Sequence, residues 1–110
     1  KLNIVAVIPV RDENLELAGK PLFEYSINHA KQSKYIKKIV VSTGDGQIAS
    51  QAELLGAEVP FLRDEEHSHF DVILEKLMQY VLQELEKRGV FPDIFVMLEI
   101  TFPFILSLLL

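Results

Sequence analysis

Four short apolar runs rich in β-branched residues, 3–10 (NIVAVIPV), 38–43 (KIVVST), 58–61 (EVPF) and 94–98 (IFVML), alternate with segments whose apolar residues recur at helical spacing. This alternation constrains the fold more than any other feature. A run of five or six consecutive apolar residues fits a strand covered on both faces, which is the condition of strands in a parallel sheet. Between the runs, Pro21 opens a helix that carries Leu22, Phe23, Ile27 and Ala30 to one side. Pro suits a first helical position because its missing N–H has no partner to lose there. Gly44-Asp45-Gly46 turns into a second helix with Ile48, Ala52 and Leu55 in register and Gly56 as its left-handed stop. Residues 70–88 form the longest helical pattern, with Ile73, Leu77, Val81 and Leu85 on one stripe and Gly89 after it. Strands and helices in this order predict βαβ units, hence an α/β fold with a mostly parallel sheet and helices on both faces, as one domain over residues 1–110.

The balance of residue types narrows the function. With 49% hydrophobic and 25% charged residues, the 110-residue chain has the composition of a globular domain. A net charge of −5 opposes nucleic-acid binding, which needs clustered cations to displace counterions from phosphates. The one basic cluster, Lys31, Lys34, Lys37 and Lys38, reads as the solvated end of a helix, where cations complement the dipole. The absence of cysteine excludes disulfides and thiolate metal sites. No segment reads as a signal peptide, and the apolar stretch 100–110 (ITFPFILSLLL) is too short to span a bilayer, which needs about 20 residues. A cytoplasmic protein with no membrane partner is expected.

Parallel α/β sheets bind ligands outside the carboxyl ends of their strands. The residues that follow the four runs include Arg11, Asp45, Arg63, Glu99 and Thr101. Two guanidiniums on one rim suit a phosphorylated ligand, because each presents a planar fork of donors to phosphate oxygens. Either arginine can equally form a surface ion pair with one of the sixteen acidic residues. Asp45 is placed to cap the second helix, its carboxylate accepting from the first free N–H groups. His67 and His69 stand two apart without a third metal ligand in view, which favours a solvated loop, and His29 has no catalytic partner in its helix.

The stretches VIPVR, LAGKPLFEYSI, KIVVSTGDGQIA, LGAEVPFLR, FDVIL and PDIFVMLEITFP, taken in order, resemble successive blocks of the cytidylyltransferases that activate acidic sugars, the acylneuraminate (CMP-sialic acid) synthetases and their relatives. The resemblance covers the chain to Pro103. It implies a Rossmann-like fold of the nucleotide-diphospho-sugar transferase type, of which residues 1–110 make the N-terminal part. It also implies transfer of CMP from CTP to a nonulosonate-type sugar, with Mg²⁺ present and pyrophosphate released. By the same resemblance Arg11 lies beside the triphosphate and is the catalytic candidate, Asn14 lies near the nucleotide, and Arg63 approaches the cytidine. Thr101 and Glu99 fall in the block that lines the sugar pocket, and Asp45 matches the second acid of an acidic turn. A homodimer is expected of the parent enzyme.

The chain departs from the family pattern at several of these places. Between Arg11 and Asn14 the family has a Gly-Ser-Lys loop that holds the triphosphate, where this chain has Asp12 and Glu13, two acids that repel phosphate. Glu99 stands for a glutamine, Phe102 for a serine, and Gly44 for the first acid of the turn. The rival expectation is therefore a non-catalytic α/β ligand-binding or interaction module that has lost the phosphate loop.

Overall fold

The computed structural model describes residues 2–10, 16–64 and 74–98. Its elements in order are β1 (Ile4–Pro9), β2 (Glu16–Leu17), β3 (Lys20–Pro21), α1 (Leu22–Gln32), β4 (Lys38–Ser42), α2 (Gly46–Leu54), α3 (Leu74–Lys87) and β5 (Ile94–Met97). The main sheet has the order β4-β1-β5. Both pairings are parallel, with Val5 opposite Lys38 and Pro9 opposite Ser42 on one side, and Ile4 opposite Ile94 and Val7 opposite Met97 on the other. This is the parallel sheet expected from the alternation of runs.

Successive side chains of a strand point to opposite faces, so β1 feeds two cores at once. Ala6, Ile8 and Val10 join Phe23, Ile27 and Ala30 of α1 and Ile48 and Ala52 of α2 on one face. Val5 and Val7 join Val40 and the α3 stripe of Leu77, Val81 and Leu85 on the other. Each fully buried Val, Leu, Ile or Phe among them contributes about 1.5–3 kcal/mol relative to exposure. The helices accordingly cover both faces. Gly56 (φ 101°) ends α2, where the Ala57 N–H reaches back to the Ala52 carbonyl at 3.0 Å, and Gly89 (φ 82°) ends α3 with the Val90 N–H on the Leu85 carbonyl at 2.9 Å. Side chains with a Cβ resist these angles.

Asn3 ties the start of β1 to the entry of β5. Its backbone N–H donates to the Asp93 carboxylate at 2.7 Å and its side-chain amide to the Phe91 carbonyl at 3.2 Å. Proline position differs slightly from expectation: Pro21 precedes the first helical residue of α1 and belongs to the small antiparallel ladder of β2 with β3. That hairpin occupies what the sequence reads as loop, because two-residue strands carry no period.

The third expected strand, 58–61, shrinks to a single parallel bridge of Glu58 with Val40. The Glu58 N–H donates to Ile39 at 2.8 Å and its carbonyl accepts from Val41 at 2.9 Å. Pro60 then has no N–H to offer, which interrupts the ladder. The chain rejoins the β4 side at Arg63, whose N–H donates to the Thr43 carbonyl at 2.9 Å. The start of the third helix at residues 70–73 lies outside the described residues.

The β2–β3 turn places Ala18 at φ 55° and Gly19 at φ 82°. Alanine pays for a left-handed backbone, whereas asparagine adopts it more readily. Ala18→Asn should therefore raise stability by about 0.5–1 kcal/mol, seen as a higher urea midpoint with an unchanged denaturant slope.

Candidate functional site

The chain leaves β1 toward α1 on one face of the sheet and enters β5 from α3 on the other. Adjacent strands whose connections diverge in this way leave a crevice beyond their carboxyl ends, the usual ligand site of such sheets. The strands around it run out at Val10, Thr43 and Leu98, and all three are buried. The Val10 N–H donates to the Ser42 carbonyl at 2.8 Å and the Leu98 N–H to the Val7 carbonyl at 2.9 Å, so the rim is held in register to its last residue.

Arg63 sits across this rim. Its backbone N–H is anchored on Thr43, at the end of β4, and its guanidinium donates to the carbonyl of Val10, at the end of β1. The side chain is 5% exposed, which is the burial of a core residue and not that of a surface ion pair. A buried cation needs hydrogen-bond acceptors around it, and a strand-end carbonyl is one. The arginine is thereby aimed at the residue from which the chain leaves β1.

The segment that carries Arg63 rests on α3. Phe61 meets the ring of Tyr80 edge-on, with centroids 5.9 Å apart and planes at 84°, and the Arg88 guanidinium lies 4.8 Å from the Phe61 centroid. The Asp64 N–H donates to the Tyr80 hydroxyl at 3.3 Å. Lys87 and Arg88 donate to Glu84 at 3.0 and 2.9 Å, and these bonds hold its carboxyl below the usual range. Burial, more than the neighbouring Asp64 and Glu84 charges, raises the Tyr80 hydroxyl above its ordinary value, against the opposing Asp64 N–H bond.

Asp45 takes the capping position. Its Oδ1 accepts from Gln47 N at 2.7 Å and Ile48 N at 3.3 Å, while its own N–H donates to the Thr43 hydroxyl at 3.1 Å. Of the other residues singled out in the sequence, Arg11, Asn14, Glu99, Thr101, His67 and His69 lie outside the described residues, as do Asp12 and Glu13. The rim is thus described on its Arg63 and Asp45 side. The lysine cluster lies elsewhere: Lys38 pairs with Glu58 at 3.4 Å, and Lys31 donates to the Leu55 carbonyl at 2.9 Å at the end of α2. Among the described residues no group of three or more His, Asp or Glu could hold a metal ion, and no helix is long and apolar enough to cross a membrane.

Tyr80 is the residue that sequence reasoning passed over. It flanks the Leu77–Val81 stripe, and only its phenol, a polar tip on an apolar body, signals a partner.

The parallel sheet with helices on both faces has counterparts among solved structures. A CMP:2-keto-3-deoxy-manno-octonic acid synthetase complexed with CTP superimposes with a TM-score of 0.65 at 20% identity, over 89% of this chain and 40% of that one. Residues 14–107 match the model of the cytidylyltransferase family, and the chain belongs to that family. The CMP-N,N'-diacetyllegionaminic acid synthase of Legionella pneumophila is 36% identical over 111 positions, covering 94% of this chain and 48% of that protein. A pseudaminic acid cytidylyltransferase of Campylobacter jejuni is 30% identical over 79 positions, covering 72% of this chain and 34% of its own length. The chain spans at most about half the length of these curated relatives.

Two outcomes test the roles described. Asp45→Ala should cost about 0.5–2 kcal/mol of stability through the lost cap, measured by urea denaturation, with Asp45→Asn restoring most of it. For Tyr80 the raised value means that the folded state holds the phenolic proton more tightly than the unfolded state does. Its contribution is complete below the ordinary value of 10.0 and is lost as pH rises through the folded-state value. Tyr80→Phe should therefore flatten the alkaline fall in stability above about pH 10, followed by denaturation at a series of pH values.

Proposed function

We propose that this chain is the nucleotide-binding part of a cytidylyltransferase that transfers CMP from CTP to an acidic, nonulosonate-type sugar and releases pyrophosphate. The observation that carries the reading is Arg63, a buried guanidinium bonded to the end of β1 at the rim where such sheets bind their ligands. Membership of the family and the activities for which its relatives are named support the same chemistry. Because those relatives are named as enzymes, they favour catalysis over a module that has lost its phosphate loop.

In this reading the sugar's anomeric hydroxyl attacks the α-phosphate, the bond to pyrophosphate breaks, and charge on the leaving group must be neutralised. The work is positioning and electrostatics, which preorganised donors in a water-poor crevice supply. Arg63 contributes a fixed positive charge on the nucleotide side. Arg11 and Asn14 are proposed beside the nucleotide, with Arg11 nearest the reacting phosphate. Asp45, Glu99 and Thr101 are proposed on the sugar side, Asp45 through whatever acceptor capacity its capping bonds leave. Mg²⁺ is expected of the family's reaction, although the described residues do not assemble a set of ligands for it. A homodimeric enzyme of the cytoplasm, where CTP is made, completes the proposal.

Arg63→Ala in the full chain should weaken CTP binding by about 1.5–3 kcal/mol, read by titration calorimetry, whereas unchanged affinity would return Arg63 to a purely structural role. Glu99→Gln should change the KM for the acidic sugar more than that for CTP, since the sugar's carboxylate is the group that meets the lost charge. Equal changes in both constants would remove Glu99 from the sugar side.

A further inference from the structure

Arg63 is held from two directions. The peptide before it is fixed to the sheet through its N–H on Thr43, at 2.9 Å. The peptide after it is fixed to α3 through the Asp64 N–H on the Tyr80 hydroxyl, at 3.3 Å. Two residues earlier, the Phe61 and Tyr80 rings meet in a T-shaped contact, and the Arg88 guanidinium lies 4.8 Å from the Phe61 centroid. One side chain of α3 therefore touches the Arg63 segment on both flanks. We propose that Tyr80 is a positioning residue for Arg63, setting the direction of its guanidinium from α3 through the Asp64 peptide and the Phe61 ring.

The geometry gives each part of Tyr80 a separate task. Its ring supplies apolar contact that stops the 61–64 segment from lifting, and its hydroxyl fixes the peptide plane on which the direction of the Arg63 side chain depends. A guanidinium confined to a buried rim has little tolerance, because misplacement of about 1 Å is enough to weaken a preorganised contact severely. The Glu84 pair with Arg88 and Lys87 in turn holds Arg88 near Phe61. The stack thus forms a brace from the last turns of α3 to the rim.

The inference rests on the reading of Arg63 as a nucleotide contact for its effect on CTP, but not for its effect on Arg63 itself, and the test separates the two. Tyr80→Phe keeps the ring and removes the hydroxyl. In the full chain it should weaken CTP binding about 2- to 10-fold, the effect of one lost hydrogen bond. In an Arg63→Ala background the same change should have no effect on CTP, since a residue that acts through Arg63 has nothing left to position. Hydrogen exchange should accelerate at the Arg63 amide, which bonds Thr43 and not Tyr80, while the Glu58 amide on Ile39 keeps its protection. Tyr80→Leu, which removes the ring as well, should enlarge both effects. Equal CTP losses in the two backgrounds, or an Arg63 amide unchanged by Tyr80→Phe, would overturn the proposal. If Arg63→Ala leaves CTP affinity intact, the nucleotide reading of Arg63 fails, and the exchange experiment still decides whether Tyr80 positions it.

Discussion

The structure depends on β1 being satisfied on every side. Its backbone is bonded to β4 along one edge and β5 along the other, and its side chains alternate between two apolar layers. A strand with no free edge and no wet face cannot shift register without moving charged or polar neighbours into a core, so the ends of the adjacent strands are fixed relative to it. The ligand rim inherits that precision: Val10, Thr43 and Leu98 sit where they do because Val5, Val7 and Ile8 have nowhere else to go.

The same constraint explains how a charged side chain can be buried at the rim. Strand-end carbonyls project beyond the ladder with acceptor capacity, and the Val10 carbonyl meets the Arg63 guanidinium there. Asp45 resolves the reverse problem at the next strand end, where a helix begins with free N–H groups and a carboxylate receives them. Opposite charges are thereby stationed at neighbouring strand ends without pairing with each other. This arrangement leaves the positive member oriented by the sheet and the negative one committed to the helix.

Periodicity carried most of the fold. The continuous apolar run of β1, the stripe of Leu77, Val81 and Leu85, and the stops at Gly56 and Gly89 are all local signals with one reading each, and the architecture built from them matches the observed parallel sheet. Two elements escaped although their causes are local, because hydrophobic periodicity does not register them. The β2–β3 hairpin has two-residue strands, too short for alternation to register, and the run at 58–61 was apolar enough to read as a strand although Pro60 withholds the donor that would extend it. For the site, Arg63 was legible only as a residue beyond the 58–61 run, and its burial was not, since an arginine in sequence carries no mark of whether a carbonyl or water awaits it. Tyr80 was the least legible, because its partners, Phe61 and Asp64, lie 19 and 16 residues away along the chain.

The Glu58–Val59–Pro60 passage beside β4 has a bearing on the molecule's company as well as its fold. An open strand edge is a template on which another chain can grow, and parallel sheets are most vulnerable while their late-pairing strands are still absent. Here the segment makes two backbone bonds to β4, places a glutamate at the contact, and then presents a residue with no N–H. It occupies the β4 edge with two hydrogen bonds, and beyond them Pro60 offers no donor on which the ladder could continue.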